Sequence, residues 1–566
     1  MTLPTRLKAA IDAVDGSPDP LRDVLGMVFR PLDVEVHHAA WRRLAALASE
    51  GKLVRDLVLY VHLPFCARVC GYCLLASRPS GGRERIRRYL RALEREMAAM
   101  APLVAPLSID TVHIGGGTPT LLTADELDGL LTQIRAHFSL RAGAPMGIEA
   151  HPTTTTRDKL DVLVRHGVGR VSFGVETFDE TALRAVQRDD QTEAKVRAAI
   201  AAAKEAGIAE VNIDLLAGLP HETVSSFTRS VELALTLEPT SMSVNRYLAE
   251  SSPLAAYGYV PTLEEQHTVD AMLLAADERI FALRPPTLPK ERLRTAGYGT
   301  QYVWDPTMTA RGYFQSDMIG PASVLTLGHG VLGHQHGGSY YTSGSSLDGW
   351  IDGWLADKPP PPLIRPLSMR YERAFFAVDR LCRGRLSEHD FEVMFHAPLE
   401  SFFGDEFGCL REAGIATRSD GGLWSRCKGA RASAAHLLAF LLDPAPLESE
   451  SDLPSTAPHR GPVIEVDVLD TAIAAIAALP RPSATPPSIL TLDLRRALAA
   501  SEASELRTAA ERSGFTIQVV RSDRDAALGQ YRSIEAELPP SVLWCRIAMA
   551  AARASREREP IRLTRD

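Results

Sequence analysis

From residue 57 onward the chain alternates short apolar runs with longer amphipathic segments. The runs at 57–63, 111–115, 146–151, 170–175, 210–216 and 240–247 are rich in Val, Ile and Leu and have the length of strands. Between them lie stretches rich in Ala, Leu, Arg and Glu with apolar residues at helical spacing, as Ile86, Leu90, Leu93 and Met97 are within the Arg83 to Arg95 segment. This alternation predicts repeated βα units around a parallel sheet. Six units make an incomplete barrel. Fully buried parallel strands should read as near-continuous apolar runs, as Val112-His113-Ile114 and Val211-Asn212-Ile213 largely do. Ligands of such a barrel sit at the C-terminal ends of its strands, so the residues just after each run are the ones to inspect.

The pattern changes on both sides of this core. Residues 1–54 form a helical segment broken at Gly16-Ser17-Pro18-Asp19-Pro20 and carry no evident chemistry. The barrel and a segment that closes its active site should occupy 55–345. Residues 343–365, with Trp350, Trp354 and the prolines Pro359 to Pro362, read as a connector. A further module over 346–445 reads as three helices and a short β element that includes Gly421-Gly422-Leu423-Trp424. The Pro/Ser/Glu-rich stretch within 446–462 is a linker. Strand-like runs at 463–469, 489–494, 516–520 and 542–549, between Ala-rich helices, make 463–566 a small α/β domain of unknown role.

Composition narrows the classes. The chain has 566 residues, 45% of them hydrophobic and 23% charged, as in ordinary soluble globular proteins. A net charge of −8 gives no reason to expect nucleic acid or an anionic membrane as partner. The Arg-rich stretch from Arg83 is interleaved with Glu and reads as a solvated amphipathic helix. The N-terminus has no apolar signal core, and no run reaches the roughly 18 apolar residues of a membrane span, so a cytoplasmic protein is expected. Cys382, Cys409, Cys427 and Cys545 are scattered singly, as reduced thiols would be.

The remaining three of the seven cysteines fall within eight residues, in Tyr60-Val61-His62-Leu63-Pro64-Phe65-Cys66-Ala67-Arg68-Val69-Cys70-Gly71-Tyr72-Cys73. Three thiolates leave a four-coordinate metal site one ligand short, which is the arrangement of a working centre. Structural zinc wants four protein ligands and no second cysteine pair is near, whereas iron–sulfur clusters take closely spaced thiolates. Three buried core thiols are the inert alternative, but Leu57 to Val61 already supply that core. The strand ends are unusual too. Gly115-Gly116-Gly117-Thr118-Pro119 can bring backbone N–H groups close to a ligand, or be only a tight turn. Glu149 precedes His151-Pro152, and Asp214 is an acid inside an apolar run, which needs a polar ligand or a cation; Arg188 is its natural partner. His329, His334 and His336 lie in a Gly/His stretch and could ligate metal, although loop histidines lining the substrate mouth are the preferred reading.

The cysteine string resembles the signature of radical S-adenosylmethionine (SAM) enzymes, and in particular of the oxygen-independent coproporphyrinogen III oxidase, or HemN-like, family. The G-G-G-T-P loop, Arg170-Val171-Ser172-Phe173-Gly174-Val175-Glu176 and Asn212-Ile213-Asp214-Leu215-Leu216-Ala217-Gly218-Leu219-Pro220 are similar to further segments of that family, over roughly residues 55–445. The resemblance implies a partial (β/α)6 radical SAM barrel, a winged-helix-like C-terminal module that covers substrate, and a [4Fe–4S] cluster on Cys66, Cys70 and Cys73 whose fourth iron binds SAM. By position, Tyr60, Gly116 and Glu149 would hold that SAM. A second SAM would map onto Tyr72, Gly117, Thr118, Glu176, Arg188 and Asp214, with Tyr72 and Glu176 the candidates for a catalytic part. An electron donor such as flavodoxin or ferredoxin and a small-molecule substrate are the implied partners.

Three departures argue against simple coproporphyrinogen decarboxylation: Leu74-Leu75 where the oxidase has a further cysteine, Glu176 in place of glutamine, and the extra C-terminal domain. The resemblance then points to relatives that cleave one SAM reductively to a 5′-deoxyadenosyl radical and use a second for methylation or cyclopropanation of an unsaturated substrate in specialised biosynthesis. A tetrapyrrole oxidase that decarboxylates propionates and a haem-binding chaperone are the alternatives.

Overall fold

The computed structural model describes residues 3–16, 30–31, 34–50, 57–73, 77–247, 263–287, 299–304, 323–335, 339–366, 369–382, 386–427, 434–442, 460–466, 489–494 and 516–521. Six parallel strands follow one another in both sequence and space: β1 (Leu57–Leu63), β2 (Ile109–Gly116), β3 (Met146–Ala150), β4 (Arg170–Glu176), β5 (Glu210–Ala217) and β6 (Ser241–Arg246). Helices Arg83–Val104, Ala124–His137, Arg157–Arg165, Glu193–Ala206 and Val224–Thr236 make the crossovers. Several of them start where the side chains dictate. Thr123 and Thr223 form capping boxes with Glu126 and Ser226, and Thr192 accepts from the Lys195 amide.

The strands are not apolar on both faces, contrary to the expectation for buried parallel strands. Leu57, Leu59, Val61, Leu63, Val112, Ile114, Ile148, Val171, Phe173, Val175, Ile213 and Leu215 join helix residues such as Leu93, Met97, Leu131, Leu163, Ile200 and Phe227 in one buried cluster. The intervening positions, Tyr60, His62, His113, Glu149, Arg170, Ser172, Asn212, Asp214 and Ser243, point the other way by the two-residue period of a strand. A closed eight-stranded barrel fills its middle with side-chain layers. Here the inner face is polar, and the pattern is a period-2 alternation read along parallel strands.

The barrel is partial, and its sheet runs on at both edges. Ser323–Leu327 pairs in parallel with β1, then Gly333–Gln335, Ser339–Ser343, Pro362–Pro366 and Arg30–Pro31 continue the sheet antiparallel; Gly299–Val303 pairs antiparallel with β6. The segment 343–365 is more than a connector. Its helix Leu347–Leu355 packs on Arg83–Val104, with Trp350 against Tyr89. The Arg-rich helix is zipped to it: Arg85 pairs with Asp348, Arg88 with Asp352 and Arg95 with Asp357.

The C-terminal module comprises helices Met369–Cys382, Glu388–Phe395, Glu400–Glu412 and Ala434–Leu442 and a three-stranded antiparallel sheet of Leu386–Ser387, Leu423–Arg426 and Ala416–Arg418. Its buried cluster, built on Phe376, Phe391, Phe403, Phe407 and Leu438, takes in Leu7 of the N-terminal helix Leu3–Gly16 and reaches Val58 and Tyr60 on the inner side of β1. Further on, Arg460–Val466, Ile489–Leu494 and Thr516–Arg521 form a parallel three-stranded sheet. The run at 542–549 lies outside the described residues.

Phe173 is fully buried between strand and helix, and its replacement by Ala should cost about 3–5 kcal/mol in urea unfolding. Leu274→Ala, at a position 60% exposed, should stay within about 0.5 kcal/mol of wild type.

Candidate active site

The cysteine loop leaves the C-terminal end of β1 and is pinned along its length by backbone bonds. Phe65–Cys66 pairs with Arg78–Pro79, the Ser80 amide donates to the Cys66 carbonyl at 3.0 Å, and the Gly71 amide donates to Val186 O at 3.1 Å. The glycine turn after β2 forms its floor. The Gly117 amide donates to Leu63 O at 2.7 Å and the Thr118 amide to Phe65 O at 2.8 Å. A Cβ on Gly117 would lie 2.6–2.9 Å from the Phe65 backbone, and one on Gly116 would lie 2.8 Å from the His62 ring. The glycines are therefore required for close approach to the cysteine loop. This corrects the expectation that the N–H groups of this turn are offered to a ligand: those of Gly117 and Thr118 are already spent on the loop.

Each cysteine sulfur of the triad has a polar neighbour. Thr118 Oγ1 lies 3.4 Å from Cys66 Sγ, Ser77 Oγ 3.2 Å from Cys73 Sγ, and Arg188 Nη1 3.7 Å from Cys70 Sγ. Burial, reinforced by the nearby Cys73, pushes the Cys66 thiol up to about 12, and burial also raises Cys70. Burial and the neighbouring thiols make Cys66 and Cys70 poor as free thiolates, and the loop calls for positive charge among them. Among the described residues no group of three His, Cys, Asp or Glu side chains is drawn together around a single ion. Three closely spaced cysteine thiolates are the ligand type of an iron–sulfur cluster, whereas structural zinc takes four protein ligands.

Beside the loop, Arg188 is buried and bonded on several sides. It donates to the Tyr72 hydroxyl at 2.9 Å, to Gly174 O, and to Gln191 Oε1 at 2.9 Å, while the Gln191 amide donates to Val175 O at 2.7 Å. Glu176 completes the chain through a bond with the Tyr72 side chain. The β4–β5 register slips between Gly174 and Glu176, and Glu176 sits at φ 67, a conformation that costs a non-glycine residue about 1–3 kcal/mol. The bulge re-aims the Glu176 carboxylate at Tyr72 and Arg188. Burial raises the Glu176 pKa, and Arg188 and Tyr72 oppose that rise.

The inner wall carries two further groups. The Tyr60 ring stacks on His113 with centroids 5.7 Å apart, and His113 Nε2 lies 3.2 Å from Glu149 Oε1. Asp214 accepts from Ser172 Oγ at 2.6 Å and from Asn212 Nδ2 at 2.9 Å. The expected Asp214–Arg188 pair is absent, because Arg188 turns to Tyr72, Cys70 and Gln191. With neutral donors only, burial and the nearby Glu149 push the Asp214 carboxyl up to about 7.

The histidine expectation is also corrected. His329 Nε2 lies 2.8 Å from Ser345 O, and its amide donates to the Tyr89 hydroxyl, which itself donates to His62 O at 2.6 Å. His334 is buried with Nε2 3.6 Å from Glu372. These two brace the wall behind β1 instead of lining a mouth, and His336 lies outside the described residues. The structure thus gathers Cys66, Cys70, Cys73, Tyr72, Thr118, Glu176 and Arg188 at one end of the barrel, with Tyr60, Gly116, Glu149 and Asp214 along its inner face. Sequence reading missed Ser77, His113, Ser172, Gln191 and Asn212. The available signal was a polar residue inside an apolar strand for three of them, and proximity to the triad or to Arg188 for Ser77 and Gln191.

Residues 60–234 match the radical SAM superfamily model. Residues 60–234 thus carry a radical SAM domain. It is 33% identical over 246 residues to the oxygen-independent coproporphyrinogen III oxidase of Salmonella typhimurium, covering 43% of this chain and 51% of that protein. It is 32% identical over 197 residues to the heme chaperone HemW of Bacillus subtilis, covering 34% and 50%. The chain therefore spans about half the length of the curated relatives it matches. The crystal structure of coproporphyrinogen III oxidase (HemN) from Escherichia coli superposes with a TM-score of 0.58 over 73% of this chain and 94% of that one, at 23% identity. The fold is the radical SAM/HemN fold, and the superfamily implies a [4Fe–4S] cluster and SAM.

Because the folded-state pKa of Asp214 is raised, its protonated form supports the fold below pH ~4, and that support is lost as pH rises through about 7. Asp214→Asn should therefore gain stability relative to wild type in urea melts at pH 8 compared with pH 5. A second expectation concerns the turn. Gly117→Ala should destabilise by about 1–3 kcal/mol, whereas Ala at Gly129, which meets nothing within 4 Å on its helix, should be neutral or slightly stabilising.

Proposed function

We propose that the chain is a radical SAM oxidoreductase of the coproporphyrinogen-oxidase type, acting on a carboxylate-bearing tetrapyrrole precursor. The observation that carries this reading is the three-cysteine loop held at the end of a polar barrel face by Arg188, Tyr72 and Glu176. Cys66, Cys70 and Cys73 would hold three irons of the cluster. When bound, the cluster and SAM supply one-electron cleavage of a sulfonium and hydrogen-atom abstraction from substrate. The residues around it set charge and position. Arg188 is a fixed cation against the Cys70 sulfur, and Glu149 is oriented by His113. Asp214, whose carboxyl is pushed up to about 7, can exchange a proton with a group bound inside the barrel near neutral pH. An external one-electron donor such as flavodoxin or ferredoxin, and a reducing cytoplasmic setting for an oxygen-labile cluster, belong to the same proposal.

The names of the relatives favour decarboxylation over methylation or cyclopropanation. One observation keeps methyl transfer as a second reading. Glu176, at a strained position, places a carboxylate beside Tyr72 where the family has a neutral amide, which suits a second, cationic sulfonium. The haem-chaperone alternative rests on the HemW match, and the inward, braced positions of His329 and His334 lend no support to a haem-ligand role.

Anaerobic reconstitution with iron and sulfide, then dithionite, SAM and coproporphyrinogen III, should give 5′-deoxyadenosine with release of carbon dioxide. Methyl-labelled SAM whose label enters a product would instead establish methyl transfer. Formation of 5′-deoxyadenosine with neither outcome would remove the tetrapyrrole assignment. Cys70→Ala should lose the charge-transfer absorption of the cluster while keeping the wild-type far-ultraviolet circular dichroism, and a retained cluster spectrum would defeat the ligand assignment.

A further inference from the structure

Each sulfur of the triad lies beside a different side chain able to donate a proton to it, and the three donors come from three separate parts of the chain. Thr118 follows the glycine turn, Ser77 closes the cysteine loop, and Arg188 follows the short helix Glu180–Ala185 beyond β4. Their distances to Cys66, Cys73 and Cys70 are 3.4, 3.2 and 3.7 Å, within the reach of hydrogen bonds to sulfur. Each donor is held in place. The Thr118 amide is bonded to Phe65 O, Arg188 is fixed by Tyr72, Gly174 O and Gln191, and Ser77 is only 4% exposed. Between two neutral partners either Ser77 or Cys73 can donate. A thiolate bound to iron has no proton, so in the loaded protein Ser77 must be the donor. The Ser77 hydroxyl also bonds to the Cys66 thiol, so it sits between two of the three sulfurs.

We infer that Thr118, Ser77 and Arg188 form a set of sulfur-directed donors, together reaching all three cluster thiolates, that raises the cluster's reduction potential. This rests on the reading of the loop as a [4Fe–4S] site. Reduction adds negative charge that is shared with the cysteine sulfurs, and a donor aimed at a sulfur stabilises the reduced form more than the oxidised one. Arg188 brings a full positive charge as well as a bond. Ser77 is the residue that most distinguishes this role, since it lies outside the cysteine and glycine motifs and no SAM contact maps onto it. Its function is to position and polarise, through Cys73.

The test is an EPR-monitored redox titration of the reconstituted full-length protein without SAM. Ser77→Ala and Thr118→Val should each lower the midpoint potential, by on the order of a tenfold fall in the reduced-to-oxidised ratio at fixed poise, which is ~59 mV for one electron. Ser77→Thr and Thr118→Ser keep a hydroxyl and should restore the wild-type value. The double variant should shift further than either single variant, because Ser77 alone reaches Cys73 while both hydroxyls reach Cys66. Unchanged or raised potentials in loaded variants would overturn the donor set while leaving the cluster assignment intact. Failure of the wild type to take up a cluster would overturn both. Resonance Raman spectra of the loaded wild type supply a check that needs no variant. Exchange into D2O should shift the iron–cysteine stretching bands, and bands that do not move would overturn the inference.

Discussion

The amide bonds from Gly117 to Leu63 O and from Thr118 to Phe65 O are the constraint on which the site depends. They lock the turn after β2 onto the start of the cysteine loop, at a separation that admits no Cβ on Gly117. A loop that leaves a strand end is normally free to move, but this one is bonded below by the glycine turn and beside by Val186 and Arg78. Cys66 is thereby buried beside the half-buried Cys70 and Cys73, although burial and the nearby thiols disfavour ionisation of Cys66 and Cys70. The fold stores an unfavourable thiol arrangement that only positive charge relieves, and Arg188 supplies one such charge from the protein itself.

The same economy governs the barrel face. Burial raises the pKa of Glu176 and of Asp214, and the nearby Glu149 adds to both rises, with Arg188 beside Glu176 and Arg170 near Asp214. Arg188 is committed to the cysteine side and Asp214 is left with the hydroxyl of Ser172 and the amide of Asn212. A buried carboxylate served only by neutral donors is poised to hold its proton near neutrality, while one beside a guanidinium is held closer to its ionised form. Two acids of similar burial thus acquire different tasks from one arginine's choice of partners.

The barrel was legible because strand length and apolar content were strong: 57–63 coincides with an observed strand, and 111–115 and 210–216 fall short by at most two residues at an end. The triad and the strand-end residues were legible through local spacing. What was hidden is what sequence spacing does not encode. The bond partner of Asp214 depends on the register of two strands, in which Ser172 faces Asn212 and Gly174 faces Asp214. The strand Ser323–Leu327 was absorbed into a Gly/His stretch because the neighbouring glycines dominate its composition. The polar inner face was misread because a partial barrel, unlike a closed one, does not fill its middle with apolar layers. Glu176 looked like a simple exchange for glutamine, but its meaning lies in a positive φ that only coordinates reveal.

The C-terminal module takes its place in the same scheme. Its aromatic cluster extends to Val58 and Tyr60, the inward positions of β1, and to Val324 on the neighbouring strand. Tyr60 thus has one side in the module's core and its ring face on His113, which in turn orients Glu149. Burial raises the Tyr60 hydroxyl well above its ordinary pKa, so it stays a neutral donor, with His62 Nδ1 3.3 Å away. A shift of the module relative to the sheet would move Tyr60 first, and through His113 the carboxylate of Glu149. Packing of the module against β1 and the orientation of Glu149 are consequently linked through Tyr60 and His113.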